Sequence, residues 1–351
     1  MKDVLVFGGY GTFGSHVCRE LTGLGVRVIV AGCDHRKAQR LSQALGPQHR
    51  ALGADLANPI SYRSELARRP VVVNCAGPFA EMKLILLEQC LEAGCHYTDI
   101  SDDRGYTRLV RSYGHRLVQE GLCAVFGCSS LPALSGALAL IAASNLRAPA
   151  AAARVTLFIG NNNPKGLAAV CSVTANLGKA IEAPQGLLYG FRDGERIALP
   201  APFGNRTVYN FESPDYDLLP ELLGLKSLVV KVGFELRLAT TLFAILAACS
   251  SHWGSTSGRI LQTLGRLVSR WGSSGGVVMV ELFDVHNLVQ RAVLVAQHNG
   301  QRMAVLPCVL AAHALSTESV LGRGALTAYE LLGAQTMLEQ IRGRGFKLLQ
   351  G

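Results

Sequence analysis

The chain has 351 residues, of which 49% are hydrophobic and 17% charged. This length allows about two domains with cores of their own, and the composition excludes a disordered chain and a small disulfide scaffold. The 34 Lys and Arg residues against 25 Asp and Glu leave a net charge of +9. The basic residues are scattered and aromatic residues make up only 7%, so we predict no nucleic-acid partner.

The ten cysteines are dispersed and form no C-x-x-C pair, which indicates free thiols in a reducing compartment and no metal site. The first residues, MKDVLVFGG, lack the apolar length of a signal peptide, and no run of eighteen apolar residues follows. We therefore expect a cytoplasmic protein, and association with a membrane surface stays open.

Short apolar runs alternate with helical stretches up to about residue 128, which is typical of a doubly wound α/β domain. This pattern predicts a Rossmann-type parallel sheet in a first domain, residues 1–130. The predicted strands are Val4–Phe7, Val26–Val30, Arg50–Leu52, Val71–Cys75, Tyr97–Ile100 and Leu122–Phe126. The predicted helices are Phe13–Leu24, Arg36–Leu45, Ser61–Ala67, Glu81–Ala93 and Arg104–Gln119.

The rest of the chain mixes strands and helices, so we predict a second α+β domain with a mixed sheet at 131–315. A C-terminal segment, 316–351, is expected to pack back on the first domain. Asn299-Gly300 is a typical hairpin turn between two predicted strands. The other predicted elements are helices at Ala133–Asn145, Leu167–Ile181 and Ala325–Ile341, and strands at Val155–Ile159, Ser227–Val232, Gly276–Asp284 and Val293–Gln297.

The segment 238–271 combines an apolar helix, Leu238–Ser250, with an amphipathic stretch that ends at Trp271. Such a stretch suits a lid or a domain-packing helix, and a helix lying on a membrane surface is the open alternative. Together with Val277–Val280, this apolar segment predicts a largely hydrophobic substrate.

The hexamer G-x-G-x-x-G stands directly after the first strand, as Gly9, Gly11 and Gly14. In a strand-turn-helix context, the first glycine allows the tight turn, the second lets a pyrophosphate approach the backbone, and the third lets the helix pack on the sheet. The positive end of the helix then faces the anion. The motif predicts a dinucleotide site.

The end of the second strand bears on which dinucleotide is bound. It carries no carboxylate at its tip: Cys33 stands there, Asp34 comes late, and Arg36 and Lys37 are within reach of a 2′-phosphate. NADP is therefore favoured over NAD, although Asp34 could still turn to a ribose. Further cofactor contacts are expected after strands three to five. The full predicted cofactor set is Gly9, Tyr10, Gly11, Thr12, Phe13, Gly14, Cys33, Asp34, Arg36, Lys37, Asp55, Cys75, Ala76, Gly77, Pro78, Phe79 and Asp99.

Three side chains are candidate proton donors for a reduction. Tyr97 and His96 adjoin the fifth strand, near the expected nicotinamide, and Lys165 follows a Gly/Asn/Pro turn in the second region. Each also has a structural interpretation, as a packed or exposed residue, and that alternative stays open. Asp102 and Asp103 are expected to cap the helix that begins near Arg104.

Five motifs carry a resemblance to a known family: VLVFGGYGTFG at 4–14, VVNCAGPF at 72–79, GCHYTDISDD at 94–103, GCSSLPALSG at 127–136 and GALTAYELL at 324–332. The chain resembles the saccharopine dehydrogenase-like (saccharopine reductase-like) oxidoreductases, and within them the branch with trans-acting enoyl reductases. The resemblance implies an NADP-binding Rossmann domain, a mixed second domain and hydride transfer in the cleft between them. It also implies that Gly77, Pro78 and Phe79 lie along the cofactor.

Together these features predict an NADP-dependent oxidoreductase that transfers a hydride to a C=C, C=O or C=N bond. Its expected partner is a largely hydrophobic substrate, such as a lipid, a polyketide or a carrier-bound intermediate. A non-catalytic dinucleotide-binding sensor or scaffold protein is the alternative. Peripheral membrane contact through 238–271 and a homodimer stay open.

Overall fold

The computed structural model describes residues 1–164, 170, 173–174, 176–249, 272–286, 289–319 and 322–351. They form two compact units. The first consists of Met1–Ser129 with Ala304–Gly333, and the second of Ser130–Met303 with Ala334–Gly351. The division therefore differs from the predicted boundaries, because 304–315 joins the first unit and 334–351 joins the second.

Strands and helices alternate through the first unit, and strands dominate the second. The strands are β1 (Val4–Phe7), β2 (Val28–Gly32), β3 (Arg50–Gly53), β4 (Val71–Asn74), β5 (Tyr97–Asp99), β6 (Cys123–Val125), β7 (Ala152–Ile159), β8 (Ala180–Ala183), β9 (Gly186–Tyr189), β10 (Glu195–Leu199), β11 (Gly204–Asn210), β12 (Ser227–Phe234), β13 (Gly276–Phe283), β14 (Val289–Ala296), β15 (Gly324–Leu326) and β16 (Lys347–Gln350). The helices are α1 (Gly14–Gly23), α2 (His35–Leu45), α3 (Arg63–Leu66), α4 (Ile85–Ala93), α5 (Arg104–Ser112), α6 (Gly114–Gln119), α7 (Ser135–Ser144), α8 (Asp215–Leu223), α9 (Arg237–Cys249), α10 (Gly300–Thr317), α11 (Ala328–Leu332) and α12 (Ala334–Arg342).

The first unit is built on a seven-stranded sheet in the order β15-β6-β5-β4-β1-β2-β3. Every pair in it is parallel. β1 and β4 are buried throughout, as continuous apolar runs in a doubly covered sheet require. The predicted Rossmann-type sheet is confirmed, and the structure adds a seventh strand from the C-terminal part of the chain.

The second unit contains a mixed sheet in the order β10-β11-β12-β7-β13-β14-β16. β12 and β7 run parallel, whereas β13 lies antiparallel to both β7 and β14. Val277–Val280 is fully buried inside this sheet. The expectation that this stretch faces a substrate was wrong, because its side chains fill the core instead.

Three helix or hairpin predictions fail where the fold overrides the local pattern. Asn299 takes the expected positive φ of 58°, but its carbonyl accepts the amide of Met303 and starts α10 instead of a hairpin. The predicted helix Ala325–Ile341 is divided into β15, α11 and α12. The predicted helix Leu167–Ile181 ends in a strand, since Ala180–Ala183 pairs with β9.

The apolar helix predicted from 238 is present as α9. Residues 250–271, which contain the amphipathic stretch, lie outside the described residues. Among the residues that are described, none of the helices has the length and apolar character needed to cross a membrane.

Candidate dinucleotide site

The candidate site lies in the first unit, where the order of the parallel strands reverses. β1 pairs with β2 on one side and with β4 on the other. In open α/β sheets this reversal leaves a crevice outside the carboxyl ends of the strands, where ligands bind. The turns after β1, β2 and β4 are therefore the first places to look for cofactor contacts.

The turn after β1 is closed by glycines that touch different neighbours. Gly8 takes a φ of +66°, and a Cβ there would lie 2.8 Å from the backbone of Cys75 and Ala76. A Cβ on Gly9 would lie 2.9 Å from Val30 Cγ1, and a Cβ on Gly14 would overlap the carbonyl oxygen of Gly8. The turn residue with positive φ is thus Gly8, one residue before the first glycine of the motif.

Gly11 differs from these glycines because its added Cβ would have a single neighbour, the Gly8 oxygen at 3.0 Å. The space beside Gly11 is therefore open on the side away from Gly8. The amides of Thr12, Phe13 and Gly14 donate to no acceptor within the described chain. Free amides at a helix N-terminus beside a residue without a side chain fit a pyrophosphate.

At the end of β2 the side chains are arranged around the first turn of α2. Cys33 is exposed. Asp34 caps the helix through Oδ1, which accepts the Lys37 amide at 3.1 Å, and its Oδ2 lies 3.5 Å from Lys37 Nζ. The Lys37 amide lowers the pKa of Asp34. Arg36 is exposed on the same turn.

The loop after β4 follows the glycine turn directly. Cys75 and Ala76 are half-buried against Gly8, whereas Gly77 and Pro78 are exposed. A hydrogen bond with Cys308, together with burial, raises the pKa of the Cys75 thiol well above its usual range. The loop thus brings four predicted cofactor residues to the crevice.

Behind this loop lies a buried group of hydroxyls. The Tyr97 hydroxyl is 2.7 Å from the Tyr106 hydroxyl and accepts a hydrogen bond of 3.2 Å from Asn74 Nδ2. Tyr97 is fully buried and Tyr106 is 3% exposed. Burial raises the pKa of both phenols well above the usual value, so both keep their protons at neutral pH.

Asp99 follows on the same strand and is also fully buried. Its Oδ1 accepts the amides of Ser101 at 3.0 Å and Gly127 at 2.9 Å, while no hydrogen bond within the described residues reaches Oδ2. Burial raises the pKa of Asp99 to about 6 against the effect of these amides. Because the carboxyl group is fully buried, it contacts the protein chain and is not exposed at the crevice, where the predicted cofactor contact would be.

Two predicted site residues, His96 and Asp55, are not brought together with the Tyr97 and Tyr106 hydroxyls, and a third lies outside the described residues. His96 precedes β5, at the amino end of the strand and away from the crevice edge, and its Nδ1 accepts the Cys123 amide at 3.1 Å. Asp55 follows β3, and its Oδ1 accepts the Ala57 amide at 3.0 Å. Lys165 lies outside the described residues.

A pocket of about 450 Å³ opens beside the hydroxyl group, between the loop after β4 and the start of α5. Phe79 and Tyr106 are among the residues that line it, and their ring centroids lie 5.1 Å apart. Its other lining residues are Ala80, Met82, Asp103, Gly105, Arg108 and Leu109. Most of the lining is therefore apolar.

Sequence reasoning missed Gly8, Asn74 and Tyr106. Gly8 stands one residue before the motif, and its positive φ could have been suspected from the doubled glycine. Asn74 ends an apolar strand, where a polar residue faces the crevice edge. Tyr106 carried no signal, because only folding brings its hydroxyl to Tyr97.

The parallel sheet, the glycine turn at the strand reversal and the open helix N-terminus define a Rossmann-type dinucleotide-binding domain. In agreement, residues 4–125 match the sequence model of the saccharopine dehydrogenase NADP binding domain. The match supports NADP as the dinucleotide for this domain.

Similar proteins extend this comparison. A probable mitochondrial saccharopine dehydrogenase-like oxidoreductase of Arabidopsis thaliana is 28% identical over 39% of this chain and 34% of its own. A saccharopine dehydrogenase-like oxidoreductase of Homo sapiens is 24% identical over 47% of this chain and 42% of its own. The chain thus spans less than half the length of these relatives.

Among solved structures, the apo histidine-tagged saccharopine dehydrogenase (L-Glu forming) of Saccharomyces cerevisiae has the same fold. It aligns over 100% of both chains with a TM-score of 0.66 and 11% identity. The parallel sheet and the second mixed sheet are therefore the saccharopine dehydrogenase fold.

Proposed function

We propose that the chain is an NADP-dependent oxidoreductase of the saccharopine dehydrogenase-like kind. The observation that carries the proposal is the glycine turn at the strand reversal, with three amides at the N-terminus of α1 that have no acceptor among the described residues. The amides of Thr12, Phe13 and Gly14 would hold the pyrophosphate, and the exposed Arg36 would contact the 2′-phosphate. When bound, the reduced cofactor supplies a hydride.

The hydroxyl pair supplies the proton that a reduction also needs. Tyr97 is fully buried, so a proton from it reaches the pocket through Tyr106, which is one of the residues that line the pocket. The 2.7 Å between the two oxygens allows that transfer, and Asn74 Nδ2 orients the Tyr97 oxygen. In this proposal Tyr106 is the donor to substrate, Tyr97 shares its proton with Tyr106 through their hydrogen bond, and a proton that enters from solvent through the pocket restores the pair.

The substrate is proposed to be largely hydrophobic. Phe79, Ala80, Met82 and Leu109 line the pocket, and an apolar lining with few polar groups suits an acyl or alkyl chain. In the second unit, Leu242 and Ile245 of α9 are 45% and 55% exposed. Reduction of a C=C bond, as in the enoyl reductase branch that the sequence resembles, is one of three reactions to test, beside C=O and C=N reduction.

The test is NADPH oxidation by the full chain against hydrophobic enoyl, keto and imine compounds. We expect turnover with at least one class, and a loss of about 10²-fold or more in kcat for Tyr106→Phe, with NADPH affinity retained. Tyr113→Phe is the matched control, because it removes a hydroxyl that binds Glu88 in the same unit, away from the pocket. NADPH binding without oxidation of any compound would favour the sensor or scaffold alternative.

A further inference from the structure

Tyr10, between the first two glycines of the motif, connects the glycine turn with the end of β2. Its ring lies on Gly32, where an added Cβ would be 2.6 Å from Tyr10 Cε1 and 2.9 Å from its hydroxyl oxygen. The same hydroxyl accepts the backbone amide of Asp34 at 2.9 Å. Tyr10 therefore contacts both the end of β2 and the residue that caps α2.

The position of this connection determines which groups the Asp34 carboxylate can contact. Both of its oxygens are directed to Lys37, one to the amide and one to the ammonium group. In NAD-binding domains an acidic residue near this strand end instead accepts the adenosine ribose hydroxyls. Asp34 is the acidic side chain nearest to the tip of β2 in sequence, so its orientation bears on the choice of dinucleotide.

We propose that Tyr10 is a specificity-determining residue that selects NADP over NAD by holding Asp34 in its capping position. With the amide of Asp34 bound to Tyr10, the carboxylate stays on Lys37 and does not reach the ribose. An unpaired carboxylate near the 2′-phosphate would repel it, whereas the basic first turn of α2 attracts it. This inference rests on the proposed NADP binding and adds the residue that enforces it.

The requirement for glycine at position 32 follows from the same contact. A side chain there would displace the Tyr10 ring, since the ring atoms already lie within 3 Å of where a Cβ would be. Gly32→Ala should therefore act in the same direction as loss of the Tyr10 hydroxyl. Tyr10→Phe is the milder change, because it keeps the ring and removes only the acceptor.

The experiment measures the dissociation constants of NADPH and NADH for the full chain by nicotinamide fluorescence, without any substrate. For Tyr10→Phe we expect the preference for NADPH over NADH to fall about fivefold, the effect of losing one hydrogen bond. The double variant Tyr10→Phe/Asp34→Asn should not gain NADH affinity, because Asn caps the helix but carries no charge. Tyr113→Phe, the control, should keep the wild-type preference.

Three results would contradict the proposed role of Tyr10. An unchanged preference in Tyr10→Phe, with wild-type protein that binds NADPH, overturns the role of Tyr10 and leaves the proposed function standing. An equal gain of NADH affinity with and without Asp34→Asn also overturns it, since the carboxylate would then have no part. Wild-type protein that binds neither dinucleotide overturns the proposed function and the inference together.

Discussion

Glycines in the turn after β1 serve two separate purposes. Gly8, Gly9 and Gly14 lack side chains because other parts of the protein occupy that space, whereas a Cβ on Gly11 would meet only the Gly8 oxygen, at 3.0 Å. The first three are thus needed for folding, and Gly11 is the position where a side chain would meet a ligand. This separation allows folding and binding to be tested at different residues.

Gly14→Ala should destabilise the protein, because the new Cβ would overlap the Gly8 oxygen. We expect a loss of about 1–3 kcal/mol in the free energy of unfolding, as for other overpacked sites. Urea denaturation measures it. The matched control is Gly23→Ala in the same helix, whose Cβ would meet nothing within 4 Å; equal effects of the two substitutions would contradict the account.

How well single residues could be predicted depended on whether the signal was local. The G-x-G-x-x-G spacing located the turn, and the expected cap at Asp103 is confirmed, since its Oδ1 accepts the Tyr106 amide at 2.7 Å. Tyr97 was singled out as a donor, but its full burial and its partner Tyr106 depend on a contact between separate segments. No local pattern reports such a contact.

Among the elements, the six N-terminal strands were predictable because each buried strand is a short apolar run between turn residues. Prediction failed where tertiary contacts decide. Gly324–Leu326 becomes a strand because β6 offers a free edge, although its sequence continues a helical pattern. Asn299 has the conformation of a hairpin residue, yet the long apolar stretch after it is buried as α10.

The cap of α5 gives a test at this scale. Asp103→Ala removes the acceptor for the Tyr106 amide, and we expect a loss of about 1 kcal/mol in the free energy of unfolding. Asp103→Asn should retain most of the stability, because the amide oxygen can also cap. Chemical denaturation of both variants checks this, and a stability of Asp103→Ala equal to that of wild type would contradict the contribution of the cap.

For the whole molecule, Asp99 links stability to pH. Its folded pKa of about 6 lies above the ordinary value of 3.8, so the folded state binds the proton more tightly. Protonated Asp99 therefore contributes to the free energy of unfolding below pH ~4, and this contribution is lost as pH rises through ~6.

Asp99→Asn removes this dependence, because the amide stays neutral and its oxygen can still accept the Ser101 and Gly127 amides. As pH rises from ~4 to ~7.5, the free energy of unfolding of the variant should increase relative to that of wild type by on the order of 2 kcal/mol. Unfolding free energies measured across that range, with the difference between the two proteins as the readout, provide the test. A difference that does not change with pH would mean that Asp99 is ionised normally.

The most direct test of the central claim, that the turn after β1 binds the pyrophosphate of NADP, is calorimetric titration of NADPH into wild-type protein and Gly11→Val. We expect saturable binding to wild type and affinity weaker by at least about tenfold in the variant, because the added side chain would stand where a pyrophosphate approaches the backbone. No heat of binding to the wild-type protein, or equal affinity in the two proteins, would contradict it.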